Sequence, residues 1–408
     1  MTTYTARWVF PVAGPPLPHG TLSVEGERIV AVEPAGVVRP THDLGQVALL
    51  PGLVNAHTHL DLSALRGQVP PTPDLPAWLR QVVVQRGQMA PHTEAESVTA
   101  GLAECLRFGT TLLGDISGTG ASWAALTNAP VRAVVFREWL GLTADRARVA
   151  QDQADEWLTT HAPTATCRAG LSPHAPYSVR ADSFNAAAAR ARTHATHLAV
   201  HWAESAAEGE LLTAHAGPFG AFLQQLGVYD PTGLAASWPD VLARCAAAPT
   251  LFVHANYAAT DWPMPPGASV VVCPRTHRAF DHPRHPFAEL RANGVTVALG
   301  TDSLASNPDL NLWAEVRCLA HTRPDVAPAE LLRMATLSGA EALGWADQTG
   351  SLAPGKSADA VTISLSATEV ADPHEWLLTS AACVAATLFR GQWRDALDSW
   401  TERKNTSD

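Results

Sequence analysis

The chain has 408 residues, is 46% hydrophobic and carries a formal net charge of −11. That length suits one large domain with a small companion, and the acidic balance excludes a chain built to hold nucleic acid. No run of 18 apolar residues offers a membrane span, and the six cysteines, at 105, 167, 245, 273, 318 and 383, include no Cys-x-x-Cys, which argues against a disulfide framework, a cysteine zinc site or a thioredoxin-type motif.

The first residues, Met1 to Arg7, lack the basic start and apolar core of a signal peptide, so a cytoplasmic location is expected. Short strands with Gly and Pro punctuation follow, at Trp8-Val9-Phe10, Thr21 to Val24 and Arg28 to Val32. Pro51-Gly52-Leu53-Val54-Asn55-Ala56-His57-Thr58-His59 then runs apolar into two histidines one residue apart. On a strand such a pair shares a face and can reach one metal ion. Thr93-x-x-Glu96 reads as a capping box that opens a helix to Phe108, stopped by Gly109. Strands are expected at 110–116, 131–136, 169–174, 198–201, 251–254, 269–273 and 295–299. Helices are expected at 144–160, 182–196, 287–293, 310–321, 328–336 and 338–344. Residues 206–248 are partly helical and longer than a simple crossover needs.

About eight βα units point to a parallel sheet closed into a (β/α)₈ barrel, with chemistry at the C-terminal strand ends. An open doubly wound sheet is the alternative, but no Gly-x-Gly-x-x-Gly follows the first strand. The tail, from Gly350-Ser351-Leu352 through Ala360 to Ile363 and Val384 to Phe389, offers strands to match the N-terminus. The expected organisation is a barrel over 51–348 and a small composite β-sandwich domain from 1–50 plus 349–408.

In that frame His57 and His59 end strand 1, His201 ends strand 5, His254 ends strand 6 and Asp302 follows strand 8. Three histidines and a carboxylate (His57, His59, His201, Asp302) suit one Zn²⁺ or Fe²⁺, and such an ion acidifies the water it binds. Asp302 could touch the metal and take a proton. Glu204, three residues past His201, could serve as proton donor to a substrate ring nitrogen and then to the leaving group. Each residue has a plainer reading: His254 as a core histidine, Asp302 as a turn former, Glu204 as a first-turn acid. None of these explains the shared position at strand ends. His277, His282 and His285 read mostly as loop residues, although His277 could face the pocket.

As an ordered set, Pro51 to His59, Ser172-Pro173-His174-Ala175-Pro176-Tyr177, His201-Trp202-Ala203-Glu204, Val253-His254, Cys273-Pro274-Arg275, Gly300-Thr301-Asp302-Ser303 and Gly350 to Asp359 resemble the amidohydrolase superfamily, in its cytosine deaminase/chlorohydrolase-like branch. The resemblance implies the barrel with its composite β domain and one divalent metal, Zn²⁺ before Fe²⁺, on the four ligands above. It implies proton handling by Glu204 and His254 and substrate contact by His174. Binuclear members bridge two metals with a modified barrel lysine. The chain has only Lys356 and Lys404, outside the barrel, which favours the mononuclear deaminase type.

Trp78-Leu79 resembles a segment of deaminases acting on adenine-type rings. Where S-adenosylhomocysteine-type relatives place a ribose-gripping carboxylate, this chain reads Gln85-Arg86-Gly87-Gln88. Arg86, Arg137 and Arg275 are candidates to meet a substrate carboxylate with two-pronged donation. The segments around Arg137, His174 and Arg275 are most similar to the 6-aminodeoxyfutalosine deaminases of menaquinone biosynthesis. The expected activity is hydrolytic deamination of that nucleoside-like small molecule. Alternatives are a deaminase of adenosine, S-adenosylhomocysteine or guanine, a chlorohydrolase-type enzyme, and a barrel that binds a ligand without turnover. No nucleic-acid or membrane partner is expected, and a homodimer remains open, since barrels of this size often pair.

Overall fold

The computed structural model describes residues 1–90, 92–379 and 383–394. Eight strands form the central sheet: β1 (Leu53–His59), β2 (Thr110–Ser117), β3 (Arg132–Trp139), β4 (Cys167–Pro173), β5 (Leu198–Trp202), β6 (Thr250–His254), β7 (Ala268–Val272) and β8 (Thr296–Leu299). They lie side by side in chain order, and Asp302–Ser303, which continues β8, pairs in parallel with Thr58 and His59 of β1. Sequential strands whose last member returns to the first close a barrel, so the expected (β/α)₈ architecture is what the chain adopts. Every residue of β1 and β2 is buried, as strands of a parallel sheet covered on both faces must be.

The helices follow from periodicity. Ala144–Thr160 buries Ala147, Ala150, Ala154, Trp157 and Leu158, a single stripe at helical spacing, and has the bounds expected. The helix expected to reach 196 ends at Thr193, because Ala195 takes a left-handed φ of 51° and Thr196 N returns to Ala191 O at 2.8 Å. The long stretch after β5 folds as Ala206–Ala214, Gly217–Gln225 and Trp238–Cys245. Within it Phe219, Phe222 and Leu223 join an apolar cluster with Leu75, Trp78, Val82 and Tyr177.

The chain divides into two compact units, Asn55–Glu104 with Leu113–Leu310, and Met1–Val54 with Cys105–Leu112 and the described residues from Asn311 on. In the second unit, Ala360–Ser364 pairs antiparallel with Val47–Pro51 inside a six-stranded sheet, and Thr2–Thr5 lies in a four-stranded one. Leu22, Ile29, Val47, Leu49, Ala360 and Leu388 share one apolar core. The end of the proposed composite domain, 395–408, lies outside the described residues. Among the described residues no helix is long and apolar enough to cross a membrane.

Asp115, near the end of β2, is fully buried and accepts Leu60 N at 2.9 Å. Burial, and then the neighbouring Asp61, push its carboxyl up to about 8. The folded chain therefore keeps a proton that the unfolded chain has lost. Stability is expected to fall as pH rises between about 4 and 8, by at most about 1.4 kcal/mol per unit from this group. Urea midpoints measured across that window should decline less steeply in Asp115→Asn than in the parent, and equal slopes would reject the assignment.

Candidate active site

The strand-end residues converge. His57 Nε2 and His59 Nε2 lie 3.5 and 3.8 Å from Asp302 Oδ1, and His59 Nε2 lies 3.2 Å from His201 Nε2. The ligand atoms of His57, His59 and Asp302 fall within 4.8 Å of one another, as do those of His57, His201 and His254. His254 thus stands closer to the ligand cluster than its place after a core strand suggested, while its Nε2 is also 3.4 Å from Glu204 Oε1.

A divalent cation fits this cluster on the evidence of the side chains. His57 is wholly buried, and neither of its ring nitrogens has a hydrogen-bond partner among the described residues. Unpaired polar atoms in a dry interior are costly, and a cation supplies what is missing. Burial holds His57, His59 and His254 well below the usual imidazole range and pushes His201 down to about 4, so the rings are neutral and offer lone pairs. The His201 ring is oriented from behind: its Nδ1 donates to His174 O at 3.1 Å, which leaves Nε2 for the cluster. Ser306 Oγ donates to Asp302 Oδ2 at 2.8 Å in the same way.

Backbone strain gathers here. Ala203, His254, Ala255 and Asp302 all have positive φ, between 50° and 71°, a region costly for residues other than glycine. Glu208 holds one of these turns. It is wholly buried, and its carboxylate accepts Ala203 N at 3.1 Å, Glu204 N at 3.2 Å and the Trp238 indole N–H. The backbone that carries Glu204 is therefore clamped by a carboxylate one helical turn further on. Burial, followed by Asp302 and Glu208, drives the Glu204 carboxyl well above its ordinary range, the direction a proton donor needs.

The cluster opens into a cavity of about 650 Å³, within the range of small-molecule sites, walled by residues including Trp78, Leu79, Leu142, Tyr177 and Phe222. Trp78, Arg86 and His174 line it. Arg86 is fixed by Asp61 Oδ2 at 2.8 Å and seated against Gly118, where a Cβ would overlap its guanidinium. Two expected contacts are corrected. Arg137 does not line this cavity; it donates to Gly118 O and Glu138 O and faces a neighbouring hollow with Gln153. On β3 adjacent side chains face opposite ways, so it is Glu138 that enters the cavity. Arg275 lies in the first turn of the helix Pro274–Ala279, held by Asp309 O and Oδ1 at 2.9 and 2.6 Å, and does not line the cavity. Nor do His277, His282 and His285, although His285 Nε2 lies 2.6 Å from His254 O.

Residues 48–394 match the model of the amidohydrolase family. The chain belongs to that family. This amidohydrolase is 29% identical over 389 residues to a 5-methylthioadenosine/S-adenosylhomocysteine deaminase of Moorella thermoacetica, covering 90% of this chain and 86% of that one. It is 28% identical over 349 residues to an aminodeoxyfutalosine deaminase of a Nitratiruptor species, covering 83% and 84%. An adenosine deaminase from Xanthomonas campestris, solved with bound zinc, superposes with a TM-score of 0.76 at 26% identity over 99% of this chain and 96% of that one.

Removing an outer hydrogen bond to a metal ligand typically costs ten- to a hundredfold in metal affinity. Ser306→Ala is expected to fall in that range when zinc binding is titrated against a chelator, and unchanged affinity would exclude the support role. Glu208→Ala leaves buried N–H groups without an acceptor, so chemical denaturation should show a loss of about 2–5 kcal/mol, with kcat falling as Glu204 loses its fixed aim.

Proposed function

We propose that this enzyme removes the 6-amino group of an adenine-type ring by hydrolysis, and that its substrate is 6-aminodeoxyfutalosine, which places it in menaquinone biosynthesis. Its assignment as a hydrolytic deaminase rests on the family and on the deaminase relatives. The observation that carries the reading is the pairing of Glu204 and His254 at 3.4 Å beside Asp302, at the inner end of an apolar-walled cavity.

His57, His59, His201 and Asp302 would hold the metal, and His254 stands beside them. Zinc suits their donor set and occupies the solved adenosine deaminase. When bound, the ion supplies Lewis-acid activation of water at neutral pH. Glu204, held protonated by burial, donates to the ring nitrogen next to the reacting carbon. Asp302 takes one proton from the attacking water and passes it to the departing amine, and the water's other proton returns to Glu204 as the oxo group forms. A carbon–oxygen bond forms, the carbon–nitrogen bond breaks, and the products are an oxo-purine and ammonia. His254, within reach of Glu204, orients the attacking oxygen.

The choice of substrate is supported by the absence of acids at Gln85-Arg86-Gly87-Gln88 and by Arg86 on a wall with Trp78 and Leu79, which suits an aromatic carboxylate. A methylthioadenosine or S-adenosylhomocysteine substrate is the second reading, favoured by the Moorella relative.

The zinc-loaded protein should be assayed by ultraviolet absorbance on 6-aminodeoxyfutalosine, methylthioadenosine, S-adenosylhomocysteine, adenosine and guanine. Preference for the first, lost by at least a hundredfold in Glu204→Ala, is the expected result. Preference for methylthioadenosine or S-adenosylhomocysteine would move the enzyme to the second reading, and no turnover of any aminated ring would overturn deamination.

A further inference from the structure

Three acids line the active-site cavity: Glu138, Glu204 and Asp302. Glu204 and Asp302 are committed to the reacting centre, whereas Glu138 has no assigned task. It sits at the penultimate position of β3, with its side chain only 9% exposed. No hydrogen bond to its carboxylate is made among the described residues; His174 Nε2 stands 3.9 Å from its Oε1, beyond hydrogen-bond reach. Arg86, the cation on the same wall, is turned to Asp61.

His174 does not remedy this. Ser178 Oγ lies 3.2 Å from Ala175 O and 2.7 Å from His174 Nδ1; when its hydrogen goes to Ala175 O, His174 Nδ1 is the donor in the second contact. In the neutral ring Nε2 is then an acceptor. Two acceptors, Glu138 and His174 Nε2, thus stand side by side on the cavity wall. Glu138 faces the cavity with no hydrogen bond to its carboxylate among the described residues, so a ligand that brings donors meets an uncommitted charged acceptor there.

Its place says which donors. His174 lies beside both Glu138 and the histidine cluster, its ring centroid 4.7 Å from that of His201 and tilted by 41° to it. A purine whose amino-bearing carbon meets Glu204 and Asp302 extends outward past His174, and its sugar arrives at Glu138. We infer that Glu138 accepts the two vicinal hydroxyls of a ribose, one on each carboxylate oxygen, and so selects ribosides over deoxygenated sugars and free bases. Paired charge-assisted acceptors match a 1,2-diol and nothing smaller. This assignment rests on the 6-aminopurine riboside reading above and names the residue that recognises the sugar.

Equilibrium binding keeps this separate from turnover. Inosine and 2′,3′-dideoxyinosine are titrated calorimetrically into zinc-loaded wild type, Glu138→Gln and Glu138→Ala, and deamination of adenosine by the wild type is measured alongside. The wild type should bind inosine at least tenfold tighter than the dideoxy ligand, as hydrogen bonds to a charged acceptor are expected to give. In Glu138→Ala the ratio should fall to within twofold, and Glu138→Gln, which has nearly the same shape and keeps one acceptor oxygen, should lie between. A wild type without ribose preference, or a Glu138→Ala variant that keeps it, overturns the assignment. If either occurs while adenosine is deaminated, the deaminase reading stands and the sugar contact falls. A preference that vanishes in Glu138→Ala, with no turnover of any of the aminated compounds assayed above, supports the sugar contact and rejects the deaminase reading instead.

Discussion

The site depends on how the barrel closes. Asp302 is not at the end of β8 proper; it lies on a two-residue extension that pairs back onto β1, with Asp302 opposite Thr58 and Ser303 opposite His59. Thr301 N donates to His57 O at 3.1 Å and to Asn55 Oδ1 at 3.1 Å, and Asn55 Nδ2 donates to Thr301 Oγ1 at 2.8 Å. Gly300 leaves room for this seam, since a Cβ there would meet His57 at 2.8 Å. The first and last candidate metal ligands of the chain are thus brought together by the hydrogen bonds that close the sheet. The left-handed backbone at Asp302 is the cost of turning the side chain inward at that point. A change that opens the seam would scatter the ligands without touching one of them.

Burial then sets the charge states. Histidines near one another in a dry pocket lose their protons, and carboxyls near one another keep theirs. Both happen within a few ångströms: the ligand imidazoles are pushed down and Glu204 is pushed up, each mainly by loss of water. Neutral nitrogen donors and a proton-bearing acid are what hydrolytic deamination requires. Glu208 is the exception that makes this workable. Its own carboxyl is pushed up to about 7 by burial, against the pull of the indole and backbone N–H groups that it accepts. Its pairing with the turn at Ala203 and Glu204 converts a buried charge into a fixed backbone.

Strand ends were legible in the sequence because an apolar run that meets a polar residue marks where a strand leaves the core. His57, His59, His201, His254 and Asp302 could be placed that way, and the Ala144–Thr160 helix from its period alone. Side-chain direction beyond the strand end was not. Arg137 and Glu138 are adjacent, and a run of apolar residues does not say which of them enters the barrel; a one-residue shift of face reverses the answer. Arg275 was a candidate to meet a substrate carboxylate, yet the proline before it is at home in the first turn of a helix and starts one there. Glu208 carried a faint signal, a carboxylate one turn past Glu204 behind the N-cap Ser205, but an acid there is usually solvated. Only the fold shows that this one is buried.

Selection at the outer end of the cavity is a short-range matter. The chain is acidic overall, so a carboxylate-bearing ligand gains no long-range attraction from it. Arg86 does not supply that attraction either, because its charge is largely cancelled by Asp61 at 2.8 Å. What the Asp61 pair provides is a guanidinium held still, with the glycine at 118 leaving space for it. A fixed planar donor rewards a ligand that meets its remaining N–H groups in the right plane and gives little to one that merely carries negative charge nearby. Leu79, Val82 and Leu142 on the adjoining wall add apolar area without direction. A flat, rigid acidic group at the end of an apolar arm satisfies both, whereas a flexible amino acid tail must lose rotamer freedom to do so and must desolvate an ammonium.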